Sequence, residues 1–126
     1  MNKILIAIVM VLAAACDRGS SEPASRAPAA TVLPAGMTRV ADPSQVCMVN
    51  DQFMGRPQIP VEVEGRTYYG CCPDCKTKLD QQPAIRTAAD PVSGEAVDKA
   101  KAIIVQDATG KVLYFASEDT LRRYRG

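Results

Sequence analysis

The residues that could do chemistry in this chain are thiols. Cys71, Cys72 and Cys75 sit within the stretch Tyr68-Tyr-Gly-Cys-Cys-Pro-Asp-Cys75, and Cys47 lies some twenty residues upstream. Such a cluster has three uses: to hold a soft metal ion, to cycle a disulfide, or to staple a small exported fold. Thiolate is the form that binds metal, and a helix start at Pro73 with Arg66, Lys76 and Lys78 nearby favours it over thiol. The chain has no histidine, which removes the imidazole ligands usual for catalytic zinc and for blue copper. Cys47, Cys71 and Cys75 as three thiolates around Zn(II) would leave a fourth place for Cys72, for water or for a carboxylate such as Asp74. Three thiolates, or two with a thioether from Met48 or Met54, suit trigonal Cu(I). Methionine at either position is also ordinary core filler.

Two other readings use the same atoms. Cys72-Pro-Asp-Cys75 is a Cys-x-x-Cys at a helix start, where thiol-disulfide exchange is fast. Alternatively, four cysteines in an exported domain can form a disulfide-stapled, non-catalytic scaffold with three connectivities, each bridge contributing about 2 to 4 kcal/mol. No histidine base, paired carboxylates or nucleophile motif is visible, so an enzyme is not expected.

Two ββα units are expected to position the thiols. In the first, Pro60 to Glu64 alternates apolar and charged residues, Gly65 turns the chain, and Thr67 to Gly70 is a β-branched and aromatic return strand. Pro73 then suits the first turn of a helix. In the second, Ile103 to Gln106 and Lys111 to Phe115 form a hairpin across Asp107-Ala-Thr-Gly110, and Ser117 caps a helix ending in arginines. The stretches IPVEVEGRTYYGCCPDCKTKL and AKAIIVQDATGKVLYFASEDTLRRY match in this order, as two copies of one unit would. The fold class expected is α+β, with copy one over about 45–82 and copy two over about 88–125. Units this small hold no core alone. They should pack together by pairing hairpins or by stacking helices on a shared sheet.

Cys47 followed by Tyr68-Tyr-Gly-Cys71 and Cys75, with three residues between the last two cysteines, resembles the TRASH metal-binding pattern. Asp90-Pro-Val-Ser93-Gly94 with Tyr114-Phe-Ala116-Ser117 resembles the related YHS domain. The resemblance covers most of residues 45–125 and implies binding of soft or heavy metals such as copper or zinc in sensing, export or delivery. NosL-type copper lipoproteins are similar in general design. Where the YHS pattern has cysteines, copy two has Ser93, Ala116 and Thr120, so that copy is expected to bind nothing.

The N-terminal segment sets the location expected. An apolar run of twelve, ILIAIVMVLAAA, follows Met1-Asn-Lys. As a helix it would rise only ~18 Å, too short for a ~30 Å hydrocarbon core, so residues 1–15 read as a signal peptide. Leu12-Ala-Ala-Ala-Cys16 resembles a lipobox, which implies cleavage before Cys16 and its acylation. Residues 16–40, rich in Ala, Ser and Pro, read as a lipidated leash to a domain at 41–126. Without Lys3 the mature chain carries 14 basic and 14 acidic side chains, so no nucleic-acid partner is expected. Together these features describe a membrane-anchored lipoprotein facing the periplasm or exterior. It would carry one Cu(I) or Zn(II) ion and meet a metal-accepting or metal-exporting protein.

Overall fold

The computed structural model describes residues 32–126. The expected signal peptide, Cys16 and most of the expected leash therefore lie outside the described residues. In chain order the strands are β1 (Thr38–Arg39), β2 (Val46–Cys47), β3 (Gln52–Phe53), β4 (Ile59–Val63) and β5 (Arg66–Gly70). Helix α1 (Pro73–Gln81) comes next, then β6 (Thr87–Ala89), β7 (Ala96–Asp98), β8 (Ile103–Gln106), β9 (Val112–Phe115) and α2 (Glu118–Arg123). The described residues thus form a mixed structure of short strands and two helices, compatible with the α+β class.

Local chemistry accounts for the longer elements. In β4 and β5 the buried Val61 and Tyr68 face each other in register, and the hairpin closes at Glu64 and Gly65. Both turn residues have positive φ, 51° and 74°, as a two-residue turn of the primed type requires. Asp107 closes the other hairpin by accepting from the Thr109 and Lys111 backbone N–H groups at 2.8 and 3.1 Å. Helix α2 opens on Ser117, whose hydroxyl accepts from Thr120 N, while Thr120 Oγ1 accepts in return from Ser117 N.

Strands β8 and β9 alternate between two faces, and that alternation organises the interior. Ile104, Val112 and Tyr114 join Val46, Met48, Val61, Tyr68 and Leu79 in one core. On the opposite face Val105 and Phe115 pack with Leu121 of α2. Leu33 and Met37 lie against this second cluster, and Thr38 and Arg39 pair with Gln106 and Val105. The last residues assigned to the leash are thus part of the fold, because Leu33, Met37 and Val40 carry enough apolar surface to be held.

The packing of the hairpins differs from expectation. They share no sheet: β1-β8-β9 is one sheet, and β2-β3, β4-β5 and β6-β7 are separate pairs. Strand β1 occupies the edge of β8 that the first hairpin would have needed. Backbone contact runs instead between residues 51–53 and residues 110–112, around an antiparallel bridge of Gln52 with Lys111. Phe53 N donates to Gly110 O at 2.7 Å and Val112 N to Asp51 O at 2.9 Å. In the other direction, Tyr68 OH donates to Asp98 Oδ1 at 3.0 Å.

Candidate metal centre

Cys47 ends β2 and is completely buried. The turn after it folds back under three constraints. Met48 N donates to Tyr69 O of β5, Asp51 takes φ of 52°, and the Lys99 ammonium crosses from the segment after β7 to bond Met48 O at 2.7 Å and Asp51 Oδ1 at 2.6 Å. Lys99 is only 4% exposed, so its charge is compensated on the spot by Asp51 and by the face of the Tyr114 ring, 5.1 Å away. This clamp fixes where Cys47 stands.

The other thiols come from the corner between β5 and α1. Cys72 is the N-cap, its sulfur accepting from Cys75 N at 3.4 Å, and Pro73 occupies the first turn. Cys75, one turn into the helix, points back to the strand end. Gly70 allows this approach: a Cβ there would lie 2.9 Å from Cys75 Cβ. The sulfurs of Cys47, Cys71 and Cys75 consequently lie within 4.8 Å of one another, a set that could hold a metal ion. Cys71 and Cys75 are 3.6 Å apart. Bonds of about 2.3 Å to zinc imply sulfur separations of roughly 3.8 to 4.0 Å in tetrahedral or trigonal geometry, so only small shifts would be needed.

Cys72 is not in that set, but its sulfur lies 3.0 Å from Cys75 Sγ. Asp74 is exposed on the helix, and Met48 is wholly buried in the core as filler. The four cysteines among the described residues, Cys47, Cys71, Cys72 and Cys75, are free, and no disulfide joins them.

The thiols differ electrostatically. Burial raises the Cys47 thiol, but the backbone N–H groups of Asn50, Val49 and Cys71, with the Cys71 thiol, bring it below its ordinary value. Cys71 is raised, first by its contact with Cys47 and then by burial. Cys72 is lowered by the Cys75 thiol and the Cys75 backbone N–H. Burial, with the Cys72 and Cys71 contacts, pushes Cys75 up to about 12. The donors that favour thiolate at Cys47 are therefore backbone amides and the Cys71 thiol. Of the expected cations, Arg66 is engaged with Asp98 at 2.7 Å, and Lys76 and Lys78 are exposed.

A second corner, at Asp90, is also held by backbone amides. Asp90, 1% exposed, accepts from the N–H groups of Val92 and Ser93 through Oδ1 and of Ala116 through Oδ2. Cys47 is bonded by the amides two and three positions on and by Cys71 N. Ser93, expected to stand at the place of Cys47, is exposed and accepts from Glu95 N. Burial raises the Asp90 carboxyl, but the Thr120 hydroxyl and these amides hold it below the usual range. The sequence signal was Asp90-Pro-Val-Ser-Gly94, an Asp able to bond the backbone two residues on.

No family model, curated protein or solved structure matches this chain significantly.

Proposed function

We propose that this protein is a membrane-anchored lipoprotein that binds one soft metal ion, Cu(I) or Zn(II), through Cys47, Cys71 and Cys75, for handover, storage or sensing. The observation that carries the reading is the convergence of three sulfurs, two from one corner and one from a distant loop, within 4.8 Å. Cys47 and Cys71 are separated by a complete hairpin, so a purely local fold would not bring them together. The thiolate-favouring amides at Cys47 support it further. In this reading the chain is a tandem of TRASH/YHS-like ββα units, the second carrying Ser93, Ala116 and Thr120 in place of the family's cysteines. The protein acts by binding, not turnover, and it hands its ion to an accepting or exporting protein. The apolar run and Cys16 support anchoring by lipid at the outer side of a membrane.

Native mass spectrometry of the reduced chain, titrated separately with Cu(I) and Zn(II), tests the proposal. Uptake of one ion is expected, and Cys75→Ser should abolish tight uptake with its circular dichroism unchanged. A reduced wild-type chain that takes up neither ion overturns the reading.

A further inference from the structure

Cys75 belongs to two arrangements at once. Its sulfur is 3.6 Å from Cys71 Sγ inside the ion-holding set and 3.0 Å from Cys72 Sγ outside it. The outside contact is the closer one. Resting on the metal-binding reading above, we propose that Cys72 and Cys75 form a dithiol/disulfide couple that gates the ion: a disulfide donor oxidises the pair, Cys75 leaves the ligand set, and the ion is released.

The positions divide the work. Cys47 is fully buried and Cys75 is 5% exposed, whereas Cys72 lies half-buried at the helix start. With the ion on Cys47, Cys71 and Cys75, Cys72 is the one cysteine among the described residues that stays off it. It is therefore the sulfur that an incoming disulfide meets. Cys72 thiolate attacks the donor R–S–S–R′, forming Cys72–S–S–R and expelling R′–S⁻. Cys75, giving up its bond to the ion, then attacks Cys72 Sγ; the Cys72–Cys75 bond forms and R–S⁻ departs. Two electrons have passed from the protein thiols to the donor, which ends as two thiols. The ion is left with two sulfurs, Cys47 and Cys71, and loses the third that closed its site. A small dithiol reverses the exchange and restores the set.

The pair can close without rebuilding the fold. Cys72 already caps the helix through its sulfur, and Ser117 holds the corresponding place in α2 through a hydroxyl, so Cys72→Ser preserves the cap.

The test uses the full-length reduced chain loaded with one equivalent of Zn(II), which does not itself change oxidation state. Oxidised glutathione is added, a chromogenic chelator follows released zinc, and alkylation with peptide mapping locates disulfides. The expected result is about one zinc released per Cys72–Cys75 disulfide, with uptake restored by dithiothreitol. Cys72→Ser should take up zinc as before and release it at least about tenfold more slowly under the same donor. The proposal is overturned if Cys72→Ser releases zinc as fast as wild type or fails to bind it. It is equally overturned if the mapped bond joins other cysteines, or if wild type forms the Cys72–Cys75 bond and keeps its zinc. Absence of zinc uptake by the reduced wild type, before any donor is added, instead removes the metal-binding reading itself and the gate with it. Normal uptake with no response to the donor removes the gate alone.

Discussion

Gly70→Ala tests how the strand end aims Cys75. The added Cβ would lie 2.9 Å from Cys75 Cβ and 3.2 Å from the backbone at Cys75 C and Lys76 N. Ordinary contact begins at 3.4 Å, so strand and helix must part by at least about 0.5 Å, and two of the three obstructing atoms are backbone that cannot swing aside. Overpacking of this kind costs about 1 to 3 kcal/mol, partly offset by about 0.4 to 1 kcal/mol from the stiffer unfolded chain. We expect a net loss of about 1 to 2 kcal/mol, read as a urea midpoint lower by roughly 0.5 to 1 M at unchanged slope. The site should suffer more than the fold. Metal–sulfur distances tolerate about 0.2 Å, so a 0.5 Å shift at Cys75 should weaken zinc binding about 10- to 100-fold in competition with a chromogenic chelator. Affinity within about twofold of wild type would refute the claim that this close approach aims the ligand, whatever happens to stability.

Asp90→Asn keeps the shape of the second corner but places an amide NH₂ or a neutral oxygen against the Ala116, Val92 and Ser93 donors. Loss of charge-assisted bonds of about 1.5 to 3 kcal/mol each should cost roughly 3 to 4 kcal/mol at pH 7, measured by urea unfolding, with zinc stoichiometry unchanged. Because the folded carboxyl lies below its ordinary range, its contribution is present above pH ~4 and fades as pH falls through the lower folded value. The gap between wild type and variant should therefore narrow from pH 7 to pH 3; a constant gap would show that the charge is not what stabilises the corner. Lys99→Met removes the ammonium from Met48 O and Asp51, and we expect a loss of about 2 to 4 kcal/mol by urea unfolding together with weaker zinc binding from a loosened Cys47 turn. Unchanged zinc affinity would mean that this clamp does not position Cys47.

The parts of the fold legible in the sequence were those with local signals. Alternation in Pro60 to Glu64, the glycine turns and the helix-start residues Pro73 and Ser117 each depend on neighbours a few residues away. The strands β2, β3, β6 and β7 carry two or three residues each, too few for a period to show. Of the candidate site, residue type named Cys47, Cys71 and Cys75, and the convergence of their sulfurs is what the coordinates add. The support for Cys47 was not legible, because Asp51 and Lys99 meet only in the folded chain. The bond from Ala116 N to Asp90 was hidden for a similar reason, since the two residues are far apart along the chain.

The crossing hydrogen bonds between the first loop and the second hairpin also set an order of assembly. Asp51 and Phe53 beside Cys47 are held by Gly110 and Val112, which are synthesised after every cysteine of the site. A nascent chain that has emerged only as far as α1 already carries every cysteine of the site without the scaffold that orients them. Under the proposed metal-binding reading, the site is therefore ready for its ion only once the second hairpin has been made.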